Sequence, residues 1–390
     1  MVDIVVTQTD LSRPAAQTME AGVGKAILTF YEGVLDSHNR HLAYRAPGAT
    51  GAEDRGPYRI HQPGEPLRSF TKDAHAAGQE VHPYALVATA GVWMGSRRTK
   101  PKTRMQLATI PKFALDHPEY MSRARDGRSW FDWEIGEQVL GYDTGYMGLA
   151  YPEVREYERA SFISYVEDFD ADGVQMEFLA VLAEGDEVWP LGYDAPAIEA
   201  YRDQHGVDPR EVDANDEDWA RLRAGYYTQF VRELREDLDK TGKNVEFSVA
   251  VEGVWANPAT AYKYMIDWPT WVEEGLIDTL HPRFWIIEPG YVNSYPNSDT
   301  GSWLVDNTRI AQEISAIKDV VGDRCKIYGT VICKHDGPAP PIDELTPRIT
   351  ASARAIMGAG SDAFGIYTDQ QVMAHDEFWA CLKDIHQGRS

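Results

Sequence analysis

Short apolar runs alternate along this chain with longer stretches in which apolar residues recur every three or four positions. The first pattern belongs to buried β-strands, the second to amphipathic helices that cover them. Eight short runs stand out: residues 3–8 (DIVVTQ), 26–32 (AILTFYE), 80–88 (EVHPYALVA), 173–179 (GVQMEFL), 245–252 (VEFSVAVE), 277–284 (IDTLHPRF), 326–333 (KIYGTVIC) and 363–368 (AFGIYT). Helical patterns at 151–169, 218–240 and 306–322 lie between them, and glycines in AAGQ, DKTGK, EEG, VVGD and MGAG mark helix ends. Eight strands, each but the last leading into a helix, predict an α/β fold of the (β/α)8 TIM-barrel type. Long insertions follow particular strands, near 43–66, 91–147 and 181–217. In such a barrel the loops after the strands build the active face. With no linker, repeat or low-complexity tract, residues 1–390 read as one barrel domain with elaborated loops.

Strand alternation then sorts residues by face. In 173–179, Val174, Met176 and Phe178 share the face expected under the helices, while Gln175 and Glu177 point into the barrel. In 245–252 the same reading turns Glu246, Ser248, Ala250 and Glu252 inward. A charge facing a barrel interior is costly unless it is paired or stands in a solvated site. Glu177 and Glu252 both fall near the C-terminal ends of adjacent strands, which makes them the candidate catalytic pair. Other strand ends supply candidate binding groups: Glu32, His82 with Tyr84, His281 with Arg283, Asp369 on the face of Gly365 and Tyr367, and Lys334, His335 and Asp336 after the seventh strand. Each of these taken singly is as readily a hydrogen-bonded core or loop residue. Their convergence on one barrel mouth is what favours a site. Of the loop tryptophans, Trp255 and Trp285 follow strands five and six and are placed to stack on a ring.

Composition narrows the partners. A net charge of −23 with no clustered Lys and Arg argues against nucleic acid. Cys325, Cys333 and Cys381 are too few for a disulfide framework and lack CxxC metal spacing. No run approaches the ~18 apolar residues of a membrane span, and the first residues lack the basic, apolar and small-residue regions of a signal peptide. The expectation is a soluble cytoplasmic protein with a neutral ligand, no cofactor and no membrane partner.

The segments HAAGQEVHPYALV, YPEVREYERASFISYVEDFDADGVQMEF, GYDAPAIEAYRDQHGVDPREVD and WARLRAGYYTQFVRELREDL resemble bacterial glycoside hydrolase-like TIM-barrel proteins, described as family-10-like glycosyl hydrolases. The resemblance spans roughly residues 65–285. Pro152, Glu153, Val154 and Arg155 match the family's helix-opening pattern, and Glu177 matches its acidic strand end. One departure is plain: the family strand usually ends in Asp followed by an aromatic–Arg–Tyr–Pro stretch, whereas here Phe178, Leu179 and Ala180 follow a glutamate. The resemblance implies glycosidic-bond hydrolysis of an oligo- or polysaccharide, which needs one carboxyl to protonate the leaving oxygen and another to attack or stabilise the oxocarbenium-like centre. Glu177 takes the second role in this reading and Glu252 the first. Strands about 4.8 Å apart would set the two carboxyls close, the geometry of a retaining enzyme; a stagger between the strands would instead offset the two by a layer and make Asp369 or Glu288 the partner across a wider gap. His335 and Asp336 stand where a His–Asp pair follows the seventh strand in the alpha-amylase superfamily, a loose similarity of layout. Two alternatives stay open: a catalytically silent carbohydrate-binding barrel, and a metal-dependent hydrolase, which would want a His-x-His pair that DIVVTQ lacks.

Overall fold

The computed structural model describes residues 1–8, 15–29, 43–45, 64–93, 108–132, 144–178, 190–252, 256–287, 305–333, 340–368 and 370–389. The strands, in chain order, are β1 (Ile4–Gln8), β2 (Val23–Thr29), β3 (Ala43–Arg45), β4 (Glu80–Leu86), β5 (Thr89–Trp93), β6 (Ala108–Pro111), β7 (Thr144–Tyr146), β8 (Gly173–Glu177), β9 (Glu246–Glu252), β10 (Thr279–Trp285), β11 (Lys326–Ile332) and β12 (Ala363–Thr368). The helices are α1 (Ala15–Glu20), α2 (Gly64–Ala76), α3 (Lys112–Asp116), α4 (Pro152–Phe169), α5 (Ala195–His205), α6 (Glu217–Lys240), α7 (Trp268–Glu273), α8 (Asn307–Val321), α9 (Ile342–Gly358), α10 (Gln370–Met373) and α11 (Asp376–His386). Among them, no helix is long and apolar enough to cross a membrane.

Strands β1, β2, β4, β8, β9, β10, β11 and β12 pair in parallel and close on one another in that order, so the protein is a (β/α)8 barrel. All eight apolar runs of the sequence become barrel strands. Pattern reading does not reveal a second sheet, antiparallel in the order β3-β6-β5-β7, which is built from the segments after the second and third barrel strands. Strands of three to five residues are too short to show an alternation.

The main core lies between barrel and helices, where Val174, Met176, Phe178, Phe247, Val249 and Val251 face outward as alternation requires. Inside the barrel a smaller apolar group of Val5, Ile27, Tyr84, Tyr328 and Ala363 shares the space with buried polar residues, among them His82, Gln175, Ser248, His281 and Arg283. At the N-terminal rim one device recurs three times. Asp172, Asp278 and Asp362 each precede a strand (β8, β10, β12), and each accepts a 2.8 Å hydrogen bond from the second backbone N–H of the strand before it: Val81, Phe247 and Ile327. Each carboxylate thereby takes a donor at the strand entry that would otherwise need water.

Gly173, the first residue of β8, is a position where the barrel leaves no room for a side chain. A Cβ there would overlap the His82 ring and stand 2.6 Å from the Glu246 carbonyl oxygen. Gly173→Ala is expected to cost about 1–3 kcal/mol, the usual range for overpacking. It should appear as a lower urea midpoint at constant slope; an unchanged midpoint would show that the imidazole can move aside.

Candidate active site

Four inward side chains from three strands meet near the C-terminal end of the barrel. Parallel pairing sets Tyr84 beside Gln175 and Leu86 beside Glu177. The Tyr84 hydroxyl donates to Glu177 Oε2, and Arg283 Nη1 donates to the same oxygen. Arg283 Nη2 donates to Gln175 Oε1 at 2.9 Å, and Gln175 Nε2 reaches Ser248 Oγ at 3.4 Å. The guanidinium carbon lies 5.0 Å from the ring centroids of both Tyr84 and Tyr367, within cation–π range of each. Glu177 is only 5 % exposed and Arg283 2 %. Removing two charges this far from water costs several kcal/mol each unless they are matched, and here the pair and its added hydrogen bonds supply the match. Burial, and then the negative charge of Glu177, raises the Tyr84 phenol well above its ordinary pKa, so it remains a proton donor to the carboxylate. Among the described residues, the other oxygen of Glu177, Oε1, has no hydrogen-bond partner. One oxygen is clamped, and among the described residues the other is left without a partner.

Glu252 ends β9, but the ladder corrects its expected level. Glu177 pairs with Ala250, and Glu252 pairs with Arg283, two residues farther along. At about 3.3 Å per residue and 4.8 Å between strands, the two Cα atoms are about 8 Å apart rather than side by side. Staggered registers are what closing a sheet into a barrel demands. Trp285 is the last residue of β10 rather than a loop residue, and it packs with Ile332 and Tyr367. Glu32, Trp255, Glu288, Lys334, His335, Asp336, Asp369 and the side chain of Glu252 lie outside the described residues.

Residues 60–300, more than half of the chain, match the family described as Glycosyl hydrolase-like 10. The chain belongs to this family. Its resemblance to family-10-like glycosyl hydrolases over roughly 65–285 is thereby borne out. A search of curated proteins gives no match. Solved structures with a similar fold include a noncanonic maltogenic alpha-amylase from Thermotoga neapolitana, with a TM-score of 0.50 and 10 % identity, covering 99 % of this chain and 76 % of that one. A GH36 alpha-galactosidase from Geobacillus stearothermophilus has a TM-score of 0.47 at 9 % identity, covering 99 % and 41 %. An alpha-galactosidase from Lactobacillus brevis has 0.47 at 12 %, covering 100 % and 40 %, so the chain spans well under half of either galactosidase. At a TM-score of 0.50 and 10 % identity, the likeness to the alpha-amylase shows the barrel fold alone.

Two histidines expected at the mouth of this glycosyl hydrolase-like barrel sit elsewhere. His82, fully buried, lies over Gly173 toward the N-terminal end, with Nε2 3.6 Å from Glu80. Beside it Lys25 Nζ stands 2.5 Å from Glu246 and 3.4 Å from Glu80, and Thr279 donates to Glu246 at 2.9 Å. Glu80, His82 and Glu246 are spaced as a metal's ligands could be, but the Lys25 ammonium already stands between the two carboxylates as their cation. His82 beside it, with help from Lys25, holds Glu80 down at about 2, while burial keeps His82 below its ordinary value. His281 packs edge-on against Tyr328, and burial, reinforced by nearby positive charge, keeps it neutral. Shared strand face was read correctly for both histidines; depth along the strand was not. Neither Lys25 nor Glu246 had been assigned to a site, although a charge near the start of an otherwise apolar strand is a visible signal.

The buried pair carries a stability prediction. Arg283→Met strands the Glu177 carboxylate without its cation and should cost about 3–5 kcal/mol. Adding Glu177→Leu should recover most of that loss, because apolar groups of similar size then fill both places. Urea denaturation of wild type, both single variants and the double variant measures the coupling; strictly additive losses would show that the two side chains do not stabilise each other.

Proposed function

We propose that this protein is a glycoside hydrolase acting on an oligo- or polysaccharide, with Glu177 as nucleophile and Glu252 as general acid and base. The observation that carries the reading is the clamp on Glu177: Tyr84 and Arg283 hold one carboxylate oxygen, and no described residue takes Oε1. A nucleophile must meet the anomeric carbon from a fixed direction, and a carboxylate oriented by two donors is prepared for that encounter. In the first step Glu177 Oε1 bonds to the anomeric carbon while Glu252 gives its proton to the departing oxygen. In the second, Glu252 takes a proton from water, and the resulting hydroxide equivalent displaces Glu177. Retention requires the two carboxyls to converge to about 5–5.5 Å, which glutamate stems leaning toward each other from Cα atoms about 8 Å apart can reach. A catalytically silent sugar-binding barrel is the second reading. The Arg283 contact favours it, because it offsets the charge of Glu177 before any substrate arrives.

Purified protein treated with EDTA should release p-nitrophenol from at least one member of a panel of α- and β-linked aryl glycosides, because two carboxylates suffice for the chemistry. Loss of activity on chelation, restored by a divalent ion, would favour a metal-dependent hydrolase instead. Glu177→Gln and Glu252→Gln should each lower turnover by at least ~10²-fold in folded protein. Wild-type rates in either variant would remove that residue from the mechanism, and inactivity of wild type on every glycoside that it binds would favour the silent barrel. Proton NMR of the first-formed sugar should show the anomer of the substrate; the opposite anomer would overturn the covalent step on Glu177.

A further inference from the structure

The insertion after β4 gathers aromatic rings as well as strands. On α3 and the short turn Pro118–Tyr120 that follows it, the Phe113 ring centroid lies 4.9 Å from His117 and 5.9 Å from Tyr120, and His117 lies 5.3 Å from Tyr120. Phe113 rests on Tyr157 of α4 at 4.1 Å, with the two planes 9° apart, and Tyr157 is itself buried. Tyr151, the N-cap residue of α4, adds its ring 5.1 Å from Tyr120. Phe113, His117, Tyr120 and Tyr151 are only half-buried, and among the described residues the Tyr120 hydroxyl has no hydrogen-bond partner. The row is tied to the mouth through the backbone. Gly148 N–H donates to the Tyr120 carbonyl at 2.8 Å, and Tyr151 N–H to the Gly148 carbonyl at 3.1 Å. Next to Gly148, Met147 N–H donates to the Ala88 carbonyl at 2.8 Å, and on the same Val87–Ala88 turn Val87 N–H donates to the carbonyl of Glu177 at 2.9 Å. The N-terminal end of a barrel helix lies on the same face as the C-terminal ends of the strands, so Tyr151 and Glu177 share one side of the barrel.

We propose that Tyr120 and Tyr151, backed by Phe113 and His117, form a binding platform for a neutral glycan chain that continues into the barrel mouth. The proposal rests on the reading of this barrel as carbohydrate-active and extends it to a second stretch of the substrate; it does not depend on the role of Glu177. A sugar ring has an apolar C–H face edged by hydroxyls, and a tyrosine has an apolar ring with a polar tip, so stacking buries the first while leaving the hydroxyls free to pair. Half-buried rings rimmed by polar groups are the surface expected of such a site. The rim here is acidic. Glu119 Oε1 lies 3.1 Å from His117 Nδ1 with its side chain 59 % exposed, and Glu153 stands on the first turn of α4, two residues after Tyr151. Carboxylates accept hydrogen bonds from sugar hydroxyls. They also repel a uronic acid chain or an acidic protein, as does a net charge of −23, so a neutral glycan is the occupant that the charges select. A row of rings fits successive units of one chain better than a single sugar, so affinity should rise with chain length.

The test is affinity electrophoresis of wild type, Tyr120→Ala, Tyr151→Ala and Tyr120→Phe in gels containing soluble starch, dextran, arabinoxylan, galactomannan or, as the anionic control, polygalacturonate. Wild type should be retarded by at least one neutral polysaccharide and not by polygalacturonate. Each alanine variant should raise the apparent Kd for that polysaccharide by about tenfold, whereas Tyr120→Phe, which keeps the ring, should retain most of the affinity. Calorimetric titration with oligosaccharides of the same linkage should show the loss widening as the chain lengthens. Retardation by polygalacturonate alone, by no polysaccharide, or equally in wild type and both alanine variants overturns the platform. So does a lower melting temperature at unchanged affinity, which makes the row packing alone, or conversion of a dimer to a monomer by Tyr120→Ala in sedimentation, which makes it an interface between copies. If an alanine variant fails to fold, the Tyr120 ring resonances of wild type decide: they should shift saturably with the retarding glycan, and unmoved resonances count against the site. Binding that depends on Tyr120 without any hydrolysis leaves the platform standing and removes the catalytic reading of Glu177; hydrolysis with affinity indifferent to both tyrosines does the reverse.

Discussion

Glu177 and Arg283 are both held out of water, and neither charge can remain there without the other. Much of the mouth follows from that constraint. Arg283 comes from β10 and Glu177 from β8, so the guanidinium must cross β9, and the inward residue of β9 beside Glu177 is Ala250. A larger side chain there would crowd the crossing. The second arm of the guanidinium goes to Gln175, whose amide continues to Ser248, so the demand for partners travels down the barrel axis and keeps the interior polar where such barrels usually carry branched aliphatic layers. Tyr84 and Tyr367 each bring a ring within cation–π range of the guanidinium.

The opposite end of the barrel solves a similar problem by different means. Lys25, Glu80 and Glu246 neutralise one another near the rim, His82 and His281 stay uncharged inside, and three aspartates cap strand entries from outside the ladder. None of these groups reaches Glu177. Polar side chains at the N-terminal end hold the barrel together, whereas at the C-terminal end, among the described residues, they leave one oxygen of Glu177 without a partner.

Alternation of apolar and polar positions was enough to locate all eight barrel strands and to turn Glu177, Tyr84, Gln175, His281 and Arg283 inward, because the side-chain period of a strand is a local property. What joins those residues is not local. Arg283 and Glu177 are 106 positions apart, and no sequence pattern says that their side chains meet. Whether Glu252 is offset from Glu177 stays open in the sequence for a related reason: register belongs to a pair of strands, and stagger to the whole barrel. His82 was misplaced in depth because face and height are separate questions, and only the first has a period. The second sheet was illegible because its strands, three to five residues long, are too short to sustain a recognisable alternation.

The glutamate at the end of β8, where relatives by resemblance usually carry aspartate, can be understood from the clamp itself. Its donors are anchored at a distance: Tyr84 Oη stands at the end of a ring rooted one strand away, and the guanidinium arrives at the end of a long stem from two strands away. An aspartate would hold its carboxylate one methylene closer to the β8 backbone and retreat from both. The longer stem lets one oxygen meet both donors together, but it adds a rotatable bond that must be fixed if the other oxygen is to keep a direction. Tyr84 and Arg283 fix it, and the Val87–Ala88 turn fixes the backbone beneath it. Side-chain length and clamp therefore depend on each other, and a change in either alone would leave a carboxylate in the mouth without a defined aim.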